Sequence, residues 1–265
     1  MEFFATTNTL PVHISDSKKG DTTIVLLHGY METLYVFSEF SDLLERHNFR
    51  VISIDLPGHG LSLSCPDKNS MEFCAKVVYG VVHDICKVDK CILAGHSLGG
   101  YISQYVTRLY PELATSLIML NSTPFAESES KLKSRQKEME VILKVRLHIL
   151  ASLSIPKMYA EINRRRFDSK IEETVEICES HDPNGIVASV RGMIDRPDNT
   201  DFLKTLKIPV KFIFGDSDEF ISNEEALRIK ELIPNAQCYT IENTGHNSFI
   251  EAPDRTLEII TTENY

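Results

Sequence analysis

Hydrophobic residues are concentrated in short runs along the chain, and each run is closed nearby by Gly, Asp, Asn or Pro. Several runs are almost uninterrupted, which is typical of strands covered on both faces in a parallel sheet. These predicted strands are residues 24–27, 51–54, 91–94, 117–120 and 210–214. Residues 237–241 alternate more and are predicted nearer an edge of the sheet, and residues 3–5 and 12–14 are predicted to form an opening hairpin.

Segments with helical periodicity lie between the strands, at residues 36–46, 71–86, 98–109 and 224–232. Because strands and helices alternate, the predicted fold class is α/β, with a mostly parallel sheet covered by helices on both faces. The alternation stops between residues 124 and 206, where the predicted helices are 133–150, 155–166 and 171–180. An insertion after the sixth strand is placed to cover the ligand crevice, which lies at the carboxyl ends of the strands. We therefore predict a core at residues 1–123 and 207–265 with a helical cap at residues 124–206.

Composition and charge narrow the classes of protein that this chain can represent. Its 265 residues are 42 % hydrophobic and 25 % charged, and 28 Lys and Arg against 38 Asp and Glu give a net charge of −10. The acidic balance argues against nucleic acid or an anionic membrane as a partner. The six cysteines form no C-x-x-C pair, the N-terminus has no secretory pattern, and no run reaches the ~18 apolar residues that cross a bilayer. Free thiols and a cytoplasmic location are expected.

The segment Gly95-His96-Ser97-Leu98-Gly99-Gly100 lies between a predicted strand and a predicted helix. In this context the G-x-S-x-G pattern indicates a sharp turn that presents the serine hydroxyl at the sheet edge, since the flanking glycines remove side-chain clashes. The start of the helix places amides beside that hydroxyl, where they favour developing negative charge. Ser97 is therefore the candidate nucleophile, and the alternative is a serine that only caps the helix.

A serine nucleophile needs a base, and the base needs a carboxylate that orients it. His246 follows the last predicted strand, and Asp216 and Asp218 follow the strand before it, so the order along the chain is Ser, Asp, His. Asp218 is preferred as the acid because it extends further past its strand, whereas Asp216 is placed to cap the turn. The predicted donors to the oxyanion of a tetrahedral intermediate are the backbone amides of Leu98 and Tyr30.

The order of these motifs carries a resemblance to a known family. Together with Leu27-His28-Gly29-Tyr30 and Asp55-Leu56-Pro57-Gly58-His59-Gly60, they make the chain resemble the α/β-hydrolase superfamily. The similar branch is the capped, cofactor-free one that contains esterases, proline iminopeptidases, C–C bond hydrolases and the menaquinone-pathway lyase. The resemblance implies an eight-stranded sheet, a triad of Ser97, Asp218 and His246, and an oxyanion hole from Tyr30 and Leu98. It also implies a structural role for residues 55–60, His59 included.

No metal and no cofactor are expected. The nine histidines show no H-E-x-x-H spacing and do not cluster with cysteine, and neither G-x-G-x-x-G nor a P-loop is present. Arg164, Arg165 and Arg166 form a basic cluster that is predicted to be a solvated helix face. The alternative is that one of these arginines contacts a substrate carboxylate.

The predicted function is that of a serine hydrolase of the carboxylesterase type, which cleaves a small or medium ester through an acyl-enzyme. One alternative is C–C bond hydrolysis or a lyase reaction on a carboxylated metabolite, with the same triad and a substrate chosen by the cap. A second alternative is a ligand receptor on the same scaffold, which would turn over slowly and signal to a partner through cap movement. The expected partner of the main reaction is a small-molecule substrate, with no nucleic acid and no membrane.

Overall fold

A computed structural model describes residues 1–144 and 147–262, and eight strands within them form one sheet in the order β1-β2-β4-β3-β5-β6-β7-β8. The strands are β1 Glu2–Thr7, β2 Leu10–Asp16, β3 Thr22–Leu27, β4 Phe49–Ile54, β5 Cys91–His96, β6 Ala114–Leu120, β7 Val210–Gly215 and β8 Gln237–Ile241. All neighbours from β4 to β8 in this order are parallel, whereas β2 is antiparallel to both β1 and β4. The prediction of a mostly parallel eight-stranded α/β sheet is confirmed.

Burial on both faces explains the uninterrupted apolar runs. In β3, Val25 and Leu27 belong to the hydrophobic cluster on one face of the sheet, and Ile24 and Leu26 belong to the cluster on the other. Every residue of β7 is buried. The edge strand β8 pairs only with β7 among the described strands and is largely half-exposed, which confirms its predicted place near an edge.

Helices flank the sheet and fill the interval between β6 and β7. Their bounds are α1 Ser38–Arg46, α2 Met71–Tyr79, α3 Leu98–Leu109, α4 Glu129–Lys144, α5 Leu147–Ser154, α6 Asp168–Glu179, α7 Pro183–Ile194, α8 Thr200–Thr205, α9 Asn223–Leu232, α10 Ser248–Glu251 and α11 Pro253–Thr261. The helices α4 to α8 follow the sixth strand, so the predicted position of the helical insertion is confirmed. Among the described residues, no helix combines the length and apolar character needed to span a bilayer.

Residues 133–150 were predicted as one helix; residues 133–144 and 147–150 are helical, and residues 145–146 lie outside the described part. The local prediction was wrong in one segment of the insertion. Residues 155–166 were predicted as a helix, but they form two 3-10 turns, Ile155–Met158 and Glu161–Asn163. Ala160 between them has a non-helical ψ of 137°, and its N–H donates to the Glu251 carboxylate at 2.9 Å instead of to a helical carbonyl oxygen.

Two further differences have local causes. Residues 71–86 were predicted as one α-helix, but α2 is followed by a π-helical segment, Gly80–Ile85. Any side chain at Gly80 would collide with the Thr7 hydroxyl, so β1 packs closely where the helix changes. The helix α7 was not predicted, because its sequence contains Gly185 and Gly192, which are poor helix formers. Pro183 at its first turn and the Asp182 side-chain cap nonetheless begin it.

Candidate active site

Ser97 alone forms the turn between β5 and α3. Its backbone has φ 48° and ψ −109°, a strained conformation for a residue with a side chain. A side chain at Gly95 would approach the Gly99 carbonyl oxygen to 2.3 Å, and one at Gly99 would approach the Leu27 carbonyl oxygen to 2.0 Å. The glycines are therefore required by close backbone packing, and the turn they allow is the predicted one.

His246 and Asp218 meet in the loops that follow β8 and β7. His246 Nδ1 lies 2.8 Å from Asp218 Oδ2, and both side chains are buried. The other carboxylate oxygen of Asp218 accepts from the backbone N–H groups of Phe220 and Ile221, at 2.7 and 3.1 Å. An ionised carboxylate only accepts, so Nδ1 carries the hydrogen and Nε2 is left as the basic nitrogen.

The electrostatics of Asp218 suit an orienting carboxylate. Burial by itself raises the pKa of Asp218, but the His246 imidazole, the Phe220 N–H and the Asn121 side chain outweigh it and hold the pKa below its usual range. Asp216, the alternative acid, lies elsewhere in the turn. Its Oδ1 accepts from the Ser217 hydroxyl at 2.9 Å and from the Thr244 N–H at 3.3 Å.

Asn121, which directly follows β6, was not predicted as a site residue. Its side-chain amide donates to Asp218 Oδ2 and to the Gly245 carbonyl oxygen, both at 3.0 Å. The backbone of Asn121 is left-handed, with φ 44°, a conformation that Asn tolerates better than most residues. The available signal was an asparagine at the end of a buried parallel strand, on the same edge as Ser97.

Ser97 and His246 line one cavity of about 90 Å³ at the carboxyl edge of the sheet. Arg135 and Glu138 of α4 line the same cavity from the insertion. The remaining lining residues are Tyr30, Met31, Ser154, Ile155, Met158 and Phe220. A space of this size admits a few atoms beyond the reacting group rather than a long chain.

Of the predicted oxyanion donors, Tyr30 lines this cavity from the loop after β3, and Leu98 directly follows Ser97 at the start of α3. Within the described part of the chain, no hydrogen-bond acceptor is paired with the backbone N–H of Tyr30 or of Leu98. The next residue, Met31, has φ 65°, which marks a tight turn in the loop. The geometry therefore leaves two backbone donors free near Ser97.

The arginine at the cavity is Arg135, which the sequence analysis did not single out. Its guanidinium lies 5.3 Å from the centre of the Tyr30 ring and donates to Glu138 at 2.9 Å. The predicted cluster lies elsewhere: Arg164 pairs with Glu219, and Arg166 stacks on Phe167. None of the three arginines lines the cavity with Ser97.

Residues 55–60 form a buried loop beside the site. The Asp55 carboxylate accepts from the backbone N–H groups of Leu34 and Leu61, at 2.8 and 2.9 Å. His59 is buried and packs against the rings of His28 and His181, with centroids 5.2 and 5.6 Å away. Among the described residues, no group of three or more His, Cys, Asp or Glu is arranged to hold a metal ion.

Comparison with known proteins places this chain in a family. The family model of the alpha/beta hydrolase fold matches residues 22–253, and the chain belongs to that family. A thermophilic esterase from Thermogutta terrifontis is similar in structure, with a TM-score of 0.89 and 27 % identity over 98 % of this chain and 96 % of that one.

Two curated relatives are named 2-hydroxy-6-oxononadienedioate/2-hydroxy-6-oxononatrienedioate hydrolase. The Paraburkholderia phymatum protein is 26 % identical and the Escherichia coli K12 protein 25 % identical, each over 95 % of this chain and 90 % of the relative. These relatives and the family match confirm the prediction of a hydrolase at the level of its class.

Proposed function

We propose that the protein is a serine hydrolase of the carboxylesterase type, which cleaves small esters through an acyl-enzyme on Ser97. The observation that carries the proposal is the 2.8 Å contact between His246 Nδ1 and Asp218 Oδ2, with His246 lining the same cavity as Ser97. With its hydrogen on Nδ1, the neutral His246 imidazole has its lone pair on Nε2, as a general base requires.

In the proposed reaction, His246 Nε2 takes the proton of the Ser97 hydroxyl as Oγ attacks the ester carbonyl carbon. The developing oxyanion accepts from the Tyr30 and Leu98 N–H groups. The tetrahedral intermediate collapses, the C–O bond to the alcohol breaks, and His246 returns the proton to the leaving oxygen. A water molecule, deprotonated by His246 in turn, attacks the acyl carbon and releases the acid and Ser97.

The size and lining of the cavity support a small acyl group. Its volume is about 90 Å³, and Met31, Ile155, Met158 and Phe220 supply an apolar surface. Phe220 also packs on His246, with ring centroids 4.9 Å apart, which shields the imidazole from bulk water. The similarity to the Thermogutta terrifontis esterase supports the same class of reaction.

Arg135 supports a second candidate, the hydrolysis of a C–C bond in a carboxylated substrate. It is the arginine that lines the cavity, and the curated relatives are named for hydrolysis of dioate substrates. Glu138 neutralises Arg135 at 2.9 Å, however, so an uncharged ester remains the better fit to this cavity.

The test is labelling with a fluorophosphonate, followed by turnover of p-nitrophenyl acetate and butyrate. We expect one label per chain at Ser97 and, in Ser97→Ala, no label and a kcat at least about 10⁴-fold lower. Ser122→Ala is the matched control, because Ser122 is a nearby hydroxyl that donates to the Ser97 carbonyl oxygen at 2.8 Å. Full activity in Ser97→Ala would refute the proposal, and inertness towards esters with turnover of a dioate substrate would favour the second candidate.

A further inference from the structure

Glu32 and His96 form a buried pair beneath the candidate active site, and the reaction above uses neither of them. Glu32 is 1 % exposed and His96 0 % exposed. Glu32 Oε2 accepts from the Gly29 N–H at 2.7 Å and lies 2.8 Å from His96 Nδ1. On the other side of the ring, His96 Nε2 lies 3.0 Å from the carbonyl oxygen of His246.

This pair joins three segments that are far apart along the chain. Gly29 directly precedes Tyr30, His96 directly precedes Ser97, and the third contact is to the backbone of His246 itself. The three residues are closely packed, since a Cβ atom at Gly29 would lie 2.7 Å from both Glu32 Oε2 and His96 Nδ1. A shift of any one segment therefore changes its distance to the other two.

The hydrogen-bond partners and the electrostatics of Glu32 agree with this pairing. A backbone carbonyl oxygen and an ionised carboxylate only accept, so His96 satisfies both neighbours when both of its ring nitrogens carry hydrogen. Burial alone raises the pKa of Glu32, but His96 and the Gly29 N–H outweigh burial and lower it. Glu32 is thus a buried carboxylate whose side-chain partner is the His96 ring, and removing that ring leaves a buried charge uncompensated.

We propose that Glu32 and His96 are positioning residues, which hold the oxyanion loop, the serine turn and the His246 backbone at fixed separations. The inference rests on the proposed function, because it concerns the alignment of that same site. The His96 and His246 ring centroids are 4.9 Å apart, so a displaced His96 ring also changes the packing of the candidate base.

The first experiment compares the kinetics of three variants with the wild type. In Glu32→Ala we expect kcat to fall about 100-fold with KM within about threefold, because misplaced oxyanion donors weaken transition-state binding. In Glu32→Gln the amide oxygen still accepts from Gly29, so we expect a kcat about tenfold below wild type. Asp16→Ala is the control: it removes another fully buried carboxylate, paired with Arg50 at 2.7 Å, and we expect kcat within about twofold of wild type despite lower stability.

The second experiment examines the contact between Glu32 and His96 by NMR and needs no measurement of turnover. In protein labelled with ¹⁵N-histidine, NMR should show the ring signals of His96 and His246 at different chemical shifts in Glu32→Gln and in the wild type, whereas Asp16→Ala should leave both sets of signals unchanged. Unchanged His96 and His246 signals in Glu32→Gln would overturn the inference. So would a folded Glu32→Ala with wild-type kcat, an equal kcat loss in Asp16→Ala or, should Glu32→Ala not fold, a Glu32→Gln with wild-type kcat.

The two proposals fail in different ways. Absence of fluorophosphonate labelling at Ser97 in the wild type counts against the proposed function, while the NMR result still tests the contact between Glu32 and His96. Normal labelling with unchanged kcat in the Glu32 variants counts against the positioning role alone.

Discussion

The core and the helical insertion meet at the cavity but contribute to it in different ways. On the core side, Ser97 and Asp218 are held by short turns and by backbone hydrogen bonds, such as Phe220 N–H to Asp218 at 2.7 Å. On the insertion side, the helix α4 buries Ile142 and sends the long side chains of Arg135 and Glu138 into the cavity. The reacting groups thus depend on backbone geometry, whereas the groups that would contact the rest of the substrate depend on how a helix is rotated.

The two parts are joined next to His246. The Glu251 carboxylate accepts from the Gly245 N–H of the core at 2.8 Å and from the Ala160 N–H of the insertion at 2.9 Å. The His246 N–H donates to the Met158 carbonyl oxygen at 2.7 Å. The loop that carries the candidate base is therefore shaped by both parts.

Variants on the two sides should separate effects on the chemical step from effects on substrate choice.

The largest effect is expected on the core side, at Asp218. In Asp218→Asn we expect kcat to fall about 10³- to 10⁴-fold, because the amide neither stabilises the His246 imidazolium nor holds its tautomer. Asp216→Asn is the matched control and should stay within about threefold of wild type, since Asp216 contacts the turn and not His246. Steady-state kinetics at pH 7.5 check both values, and the reverse ranking would exchange the roles of the two aspartates.

The next effect is on the pH dependence of stability. It arises at the boundary between the core and the insertion, where His28 and His59 of the core lie close to His181 of the insertion. Burial lowers the pKa of all three histidines, so each stays neutral in the folded protein below the ordinary value of 6.5. The unfolded chain then binds more protons, and the free energy of unfolding should decrease as the pH falls below about 6.5, by up to about 1.4 kcal/mol per pH unit for each histidine. Above about pH 7.5 these groups should have no effect.

Urea denaturation at pH 7.5, 6.0 and 5.0 measures this dependence. The variant His59→Gln should remove the contribution of His59 to this dependence, and His47→Gln, at an exposed position, should leave the dependence as in the wild type. Equal stability at pH 7.5 and 5.0 would contradict the buried neutral histidines.

On the insertion side, Arg135→Ala should change binding more than chemistry. We expect KM to rise about tenfold for substrates with an acceptor oxygen away from the ester, and kcat to stay within about threefold. Lys137→Ala, on an exposed position of the same helix, is the control and should change neither constant. A loss confined to kcat would place Arg135 with the reacting groups and remove the contrast between the two parts.

The smallest effect is expected from the apolar wall of the cavity. In Met158→Ala the cavity enlarges while the backbone bond to His246 is kept, so the ratio of octanoate to butyrate ester turnover should rise about three- to tenfold. Leu153→Ala, at a side chain that is 64 % exposed, should leave the ratio unchanged. An unchanged ratio in Met158→Ala would show that the acyl chain lies elsewhere.

The strands and the turn that could be predicted depend on interactions between residues close together in the sequence. The buried runs predict β3 to β7 because burial on both faces of a strand needs adjacent apolar residues. The glycines around Ser97 predict its turn because the steric limits act between neighbours. By contrast, residues 155–166 have a helical sequence pattern but do not form an α-helix. The hydrogen bond between Ala160 and Glu251, which are 91 residues apart, interrupts the segment.

What the sequence by itself determined is the order of strands and helices, the turn at Ser97, and the candidates Asp218 and His246 at strand ends. The sequence favoured Asp218 over Asp216 as the partner of His246, and the tertiary structure brings Asp218 and His246 together. Only the tertiary structure decided that Asn121 supports Asp218 and that Arg135 instead of Arg164 reaches the cavity. The reason is physical: periodicity and turn sterics are set by residues close in the chain. Contacts such as Asn121 to Asp218, 97 residues apart, depend instead on how the sheet and the insertion pack together.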